Sequence, residues 1–374
     1  MKPRIGFVLE QALGHVAYGM SLRRALSARN DIESEWLEVS FDEEGFGQVP
    51  IVGKSYVLRG NVRARSAIAR AHRRRPLNAL FMHTSMIGLL AMDYISKIPT
   101  MLSLDATPLN YDELAAWYGH RTQNAAIERG KLFVHRAVMR RARRMTTWSQ
   151  WAKDSLVRHY GVVADAVTVI HPGATFANFP DPSTRSQRRP GPMRILFVGG
   201  DFVRKGGDLL LEVFRRHLRG SSELHLVTAA DVPSGDGVWV HRGLKPHSAE
   251  LLALYADADV FAFPTRADCF GVVLAEAMAA GLPIVTTRVA AIPEAVRDGE
   301  SGSGFVIEVD DAEALRERLE RLAKSPDLRK RMGRYSRSVG EESFDMDKNA
   351  NRIAEVLVDL SRDGSLHGEG DRNR

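Results

Sequence analysis

Cysteine is almost missing: Cys269 is alone in a chain of 374 residues. That excludes an internal disulfide and any cysteine-built metal site, and it agrees with a reducing compartment. Aromatic residues are sparse, at 7%, and none interleaves with the arginine-rich stretches as a single-strand nucleic-acid platform requires. Long apolar runs are missing as well. After Lys2 and Arg4 the run Ile5 to Leu9 is stopped by Glu10, too short for a signal peptide or a membrane span. The expected location is therefore the cytoplasm. No histidine pair sits at metal-ligand spacing, and no Ser-His-Asp or G-x-S-x-G pattern appears, so metalloenzyme and serine-hydrolase classes are disfavoured.

What is present is globular composition: 44% hydrophobic and 26% charged residues, in a chain long enough for two domains with separate cores. The first half alternates short apolar runs with helical patterns in the rhythm of βαβ units. Its expected strands are Arg4–Leu9, Ala79–His83, Thr100–Leu104, Met145–Trp148 and Val167–Ile170, with a helix over Val16–Arg29. Residues 181–193 are rich in Pro, Ser, Arg and Gly and read as a linker. The rhythm restarts with strands expected at Arg194–Val198, Glu223–Thr228, Val238–Val240, Val260–Phe263, Pro283–Thr286 and Gly304–Ile307. The expected organisation is an amino-terminal domain over 1–180, a carboxyl-terminal domain over 194–345, a helix over 346–362 that returns to the first domain, and a disordered tail over 363–374. The fold class is α/β: two doubly wound Rossmann-like domains, with a ligand cleft expected between the carboxyl ends of both sheets.

Two segments carry chemistry. VGGDFVRKGGD, Val198 to Asp208, joins a strand to an apolar helix. Its glycines, Gly199 and Gly200 among them, allow close backbone approach to a phosphate, the helix start adds a positive dipole end, and Arg204 and Lys205 add cations. A turn that needs glycine for positive φ is the plainer alternative. PTRADCFGVVLAEAMAAGLPIV, Pro264 to Val285, ends a strand, places Asp268 on a loop and opens a helix at Gly271. That helix is nearly all Val, Leu, Ala and Met, yet it contains Glu276. A carboxylate there must be paired, protonated or ligand-bonded, and ribose hydroxyls are suitable partners, as is a neighbouring loop. The amides at Gly271 and Val272 are free to receive a phosphate.

Asp268 and Glu276, eight apart around CFG, resemble the acidic pair of the family 4 retaining glycosyltransferases, which usually show Glu, seven residues, Glu. The Arg204–Lys205 loop, the HRGLKPHSAELLALYADADVFAFPT stretch with Gly243, the AAIPEAVRDGESGSGFV stretch and HPGATFANF resemble that family in order and spacing, over essentially the whole chain. The resemblance implies the GT-B architecture and transfer of a hexose-type sugar from a UDP-, GDP- or ADP-sugar to an unnamed glycan, lipid or small molecule, with retention of configuration. It implies that Arg204 and Lys205 neutralise the leaving diphosphate, that Asp268 holds a hydroxyl of the sugar, and that Glu276 binds the ribose, with Cys269, Phe270, Gly271 and Val272 beside them. Two cations leave no need for a metal or other cofactor. Asp268 departs from the usual Glu and reaches one methylene less far.

In the first half, LEQALGHVAYG resembles the family's glycine loop, with Gly14 and His15 as candidates near the donor phosphates and acceptor. His15 also reads as a capping or packing residue. Asp105 in SLDATP stands where many relatives place a histidine near the reacting carbon; it positions the acceptor, stabilises an oxocarbenium-like state, or caps an Asx turn. His83 and His171 read as structural. Competing classes on this architecture are a nucleotide-sugar epimerase, a phosphorylase, for which no lysine stands out as the pyridoxal phosphate site, and a non-catalytic nucleotide-sugar binder, which is expected to lose Arg204 and Lys205 first.

Net charge is +6, and two arginine clusters lie in the first half: Arg59, Arg63, Arg65, Arg70, Arg73, Arg74 and Arg75, then Arg136, Arg140, Arg141, Arg143 and Arg144. Both fit an ordinary solvated helix face, and both fit peripheral contact with an anionic membrane at its inner face. Nucleic acid is not an expected partner.

Overall fold

The computed structural model describes residues 2–12, 14–42, 44, 55–119, 124–179, 182 and 191–368. Its strands form two six-stranded sheets, with all pairings between strands parallel. The first holds β1 (Arg4–Glu10), β2 (Glu33–Val39), β3 (Ala79–His83), β4 (Thr100–Leu104), β5 (Arg144–Thr147) and β6 (Val167–Val169) in the order β2-β1-β3-β4-β5-β6. The second holds β7 (Met193–Val198), β8 (Ser222–Val227), β9 (Val238–His241), β10 (Val260–Phe263), β11 (Ile284–Thr287) and β12 (Gly304–Ile307) in the order β12-β11-β10-β7-β8-β9. Every residue of β1, β3, β4 and β10 is buried, as parallel strands covered on both faces require; their sequences are accordingly near-continuous apolar runs.

The element absent from the sequence-based expectation is β2. Its sequence, ESEWLEV, carries three glutamates, and the strand is exposed or half-buried over most of its length. It is an edge strand held by charge as much as by burial. Glu35 accepts hydrogen bonds from Arg4 at 2.6 Å and Arg74 at 2.5 Å, and these cations hold its carboxyl below the ordinary range against the opposing effect of burial.

Chain order reverses between β1 and β3 in the first sheet and between β7 and β10 in the second. In doubly wound folds the loops following the strands on either side of such a reversal form the ligand crevice. The loops after β7 and β10 hold the Arg204–Lys205 and Asp268–Gly271 segments. Those after β1 and β3 hold Gly14–His15 and Thr84.

Contacts divide the chain into one unit of residues 1–112, 121–171 and 347–374 and another of 113–120 and 172–346. The change after His171 comes earlier than the boundary expected at 180. Residues beyond it pack into the second unit: Ala174 and Phe344 share a backbone hydrogen bond of 3.0 Å, and Arg337 lies 4.7 Å over the Phe176 ring. Most of the expected linker over 181–193, and the end of the tail over 369–374, lie outside the described residues. The final helix, Met346–Gly368, belongs with the first unit apart from its first residue.

Candidate functional site

In the second unit, β7 runs into a loop that closes on helix Gly207–Val213. Gly206 makes that closure: its φ is +75°, and a Cβ there would lie 1.9 Å from the carbonyl oxygen of Pro264. The loop following β7 is thereby laid against the strand end of β10. Lys205 forms an ion pair with Asp268, and its ammonium lies 5.1 Å over the Phe263 ring. The other Asp268 oxygen accepts from the backbone N–H groups of Gly271 at 2.8 Å and Phe270 at 3.2 Å, so the Gly271 amide expected to be free for a phosphate is already bonded. Burial opposes ionisation of Asp268, but Lys205 and Arg204 outweigh it and hold the carboxyl below its ordinary range. Gly271, at φ +75°, then opens helix Val272–Ala279. Cys269 is buried, and the buried ring of Phe270 packs 5.7 Å from that of Phe344.

Arg204 is not a free cation. It is 8% exposed, donating from Nε to Asp201 at 2.9 Å and from one terminal nitrogen to the Ala267 carbonyl at 2.8 Å and the Tyr118 hydroxyl at 3.3 Å. The guanidinium lies 4.6 Å over the Tyr118 ring, and Arg266 similarly lies 5.3 Å over Trp117. Tyr118 and Trp117 come from the first half of the sequence, and no local signal marks them.

Glu276 answers the question raised by its apolar helix. Tyr255 donates its hydroxyl to Oε2 at 2.7 Å, and His247 Nε2 is 3.9 Å from Oε1. Burial raises the carboxyl from 4.5 to about 6, with the Tyr255 hydrogen bond partly offsetting that rise. Tyr255 thus holds one oxygen of Glu276, whose side chain is 13% exposed. Gly199 is buried against Phe197 and Lys205, whereas Gly200 and Gly243 are exposed with open space at Cβ; Gly243 also has positive φ, at +71°.

In the first unit, Gly14 takes ordinary right-handed helical angles, and a Cβ there meets nothing within 4 Å, so its backbone does not demand glycine. His15 is more constrained. Its Nδ1 is 2.5 Å from Glu10 Oε1 and its Nε2 is 3.1 Å from Asp105 Oδ2. Burial opposes charge on this ring, but Asp105 and Glu10 outweigh it and raise His15 to about 10; reciprocally, His15 overcomes the effect of burial on Asp105 and lowers it to about 2. Asp105 Oδ1 meanwhile accepts from the Ala106 N–H at 2.8 Å. That bond reaches the next residue and not the one after it, so the described bonds do not make the expected Asx turn; the His15 partnership occupies the other oxygen.

His83, expected to be structural, packs edge-on against His15 with ring centroids 4.5 Å apart and stacks on Trp148 at 5.0 Å. Burial, with the adjacent His15 charge, depresses it to about 3. His171 Nδ1 donates to the Trp148 carbonyl at 2.7 Å. The participant missed from sequence is Glu10, 4% exposed, which also accepts from Thr84 Oγ1 at 3.1 Å. Its signal was visible: an acid ending an otherwise apolar buried strand, the same anomaly that marks Glu276.

The first arginine cluster is largely consumed by the fold. Arg59 donates to the Phe41 carbonyl, Arg63 binds Asp42, Arg65 binds Asp93, and Arg74 and Arg75 bind Glu35 and Glu33. Arg136 donates to the His159 carbonyl. Arg140, Arg141, Arg143 and Arg144 differ: they are exposed and form no ion pair among the described residues. No described helix is long and apolar enough to cross a membrane.

Residues 192–325 match the family model described as glycosyl transferases group 1. Among curated proteins, the chain is 30% identical over 285 residues to a D-inositol 3-phosphate glycosyltransferase of Streptomyces bingchenggensis, covering 66% of this chain and 62% of that one. It is 31% identical over 252 residues to the protein of the same name from Streptomyces scabiei, covering 60% and 56%. The chain thus spans less than two thirds of these relatives' length. Among solved structures it is similar to sucrose-phosphate synthase from Thermosynechococcus elongatus, with a TM-score of 0.77 at 18% identity, covering 96% of this chain and 99% of that one. It is also similar to HepE of Anabaena in complex with UDP-glucose, with a TM-score of 0.70 at 15% identity, covering 95% and 99%.

Proposed function

We propose that the chain, which has the GT-B fold of two Rossmann-like domains and resembles the group 1 glycosyl transferases, is a GT4-like glycosyltransferase that moves a hexose-type sugar from a nucleotide diphosphate sugar to an acceptor, with retention of configuration and no metal at the diphosphate. The observation that carries this reading is the Lys205–Asp268–Gly271 arrangement, in which one cation, one carboxylate and the start of a helix meet at the β7/β10 reversal. As the bond from the anomeric carbon to the diphosphate breaks, charge develops on the phosphate oxygens. Lys205, with Arg204 on the same loop, supplies the opposing charge. Donors fixed in this manner typically lower a barrier by about 3 to 4 kcal/mol each. Asp268 leaves Lys205 in part to accept a sugar hydroxyl, and Glu276 accepts from the ribose. His15 and Asp105 mark the acceptor side in the first unit.

The named relatives and the UDP-glucose complex of HepE support a nucleotide-sugar donor. The exposed Arg140–Arg144 cluster supports peripheral contact with anionic lipid. Thermal stabilisation by UDP-, GDP- and ADP-sugars in magnesium-free buffer tests the central reading. One donor is expected to raise the melting temperature in wild type and not in Glu276→Ala. If no nucleotide sugar stabilises the protein, the reading is overturned.

A further inference from the structure

Among the described residues of the first unit, a set of ligating side chains gathers at the carboxyl ends of β1, β3 and β4. His15, His83 and Asp105 each offer one ligand atom within 4.8 Å of the others. Each imidazole has Nδ1 facing an oxygen, as metal-binding imidazoles ordinarily do, while Nε2 of His15 faces Asp105 and Nε2 of His83 is unbonded. Nδ1 of His15 faces Glu10 Oε1 at 2.5 Å, and Nδ1 of His83 faces Ser103 Oγ at 3.1 Å. Nε2 of His83 is buried and has no hydrogen-bond partner, although its residue is 1% exposed. A nitrogen sequestered in this way has no role in the sugar transfer described above.

Charge and spacing point the same way. His15 Nε2 and Asp105 Oδ2 are 3.1 Å apart, a separation that two ligands of one ion take when each bond is about 2.0–2.1 Å. Glu10 and Asp105 bring two carboxylates to two imidazoles in a poorly solvated place. A proton on His15 offsets one of those charges; a divalent cation offsets both.

We propose that His15, His83 and Asp105 bind a first-row divalent cation of the zinc type, with Glu10 and Ser103 orienting the two rings. Imidazole ligands select zinc, cobalt or nickel over magnesium, which prefers an all-oxygen shell. The side chains of His15 and Asp105 are 13% and 15% exposed, so the site is not sealed from solvent. The site uses residues of the first unit alone, and because His15 and Asp105 also carry the acceptor side of the proposed function, its test reads metal binding and not turnover.

The test uses the full chain, stripped of metal with chelator and titrated with cobalt(II), followed by visible absorption and by calorimetric competition with zinc(II). Wild type is expected to bind one ion per chain, with a low-coordinate cobalt spectrum and a melting temperature raised by zinc. His83→Gln and Asp105→Asn should each remove the spectrum and the zinc-dependent rise. Glu10→Gln should weaken binding by about 10- to 100-fold. Circular dichroism and nucleoside diphosphate binding report whether each variant folds, and Lys205→Ala, in the other unit, should retain the full cobalt signal. No saturable cobalt binding by wild type overturns the proposal. So does binding that persists in folded His83→Gln and Asp105→Asn.

Discussion

Replacing Glu276 by glutamine separates what this residue does for the fold from what it does for the ligand. Its carboxyl is raised from 4.5 to about 6, chiefly by burial and despite the Tyr255 hydroxyl. Below about pH 4.5 the group is protonated in both folded and unfolded chain and contributes no pH dependence. As pH rises from there toward 6 the unfolded chain loses its proton first, so stability falls; above that window the folded protein carries a penalty of about 2 kcal/mol. Glutamine keeps the shape and an acceptor for Tyr255 but never ionises. Glu276→Gln is therefore expected to be more stable than wild type at pH 7 by up to about 2 kcal/mol, the difference fading as pH falls to 4.5. Urea denaturation at half-unit steps between pH 4.5 and 7.5 measures it. If two ribose hydroxyls donate to the ionised carboxylate, nucleotide affinity should change in the opposite sense: wild type binds more weakly as pH falls below 6, whereas the variant binds weakly throughout. A stability difference that does not vary with pH, or a variant that is less stable at pH 7, refutes the reasoning about burial.

Three other outcomes follow from the geometry. Lys205→Ala is expected to reduce turnover by about 10²- to 10³-fold, and adding Asp268→Asn should cost little more because the paired groups act as a unit; wild-type steady-state rates in the single variant would count against a diphosphate role. Gly206→Ala should destabilise by more than about 1 kcal/mol, since it combines positive φ with a collision at Pro264, while Gly14→Ala should be neutral; equal melting temperatures for the two variants would contradict this. Reversing charge at Arg140, Arg141, Arg143 and Arg144 should abolish co-sedimentation with anionic liposomes, as should high salt, because each exposed arginine contributes about 1 kcal/mol near such a surface; wild-type protein that stays in the supernatant at low salt leaves the cluster as ordinary surface.

The parallel strands were legible because burial on both faces forces apolar runs, and these survive any change in detail. β2 was not, because an edge strand carrying Glu33, Glu35 and Glu38 has the charge pattern of a loop or helix surface until Arg4 and Arg74 are seen to meet it. Asp268 and Glu276 were legible as anomalies: one on a loop before a helix start, the other an acid in an apolar helix. Their partners were a different matter. Tyr255 precedes Glu276 by 21 residues in an unremarkable helix, and Tyr118 reaches Arg204 from 86 residues away. No periodicity encodes such distances. The arginine runs were misleading in the opposite direction, since membership of one cluster implied a common face where the fold sends Arg59 inward and leaves Arg73 outside.

The route of the chain between its two units has a consequence for recombination. The chain changes unit between residues 112 and 113, 120 and 121, 171 and 172, and 346 and 347. A single cut within 181–193 therefore does not yield two complete modules. The amino-terminal fragment lacks the final helix that belongs to it, and the carboxyl-terminal fragment lacks Tyr118, the aromatic partner of Arg204. Grafting a new first unit onto this second unit by one crossover would leave an arginine without its ring and a helix on the wrong parent. A chimaera that keeps both units whole must carry residues 113–120 with the second unit and the stretch after 346 with the first.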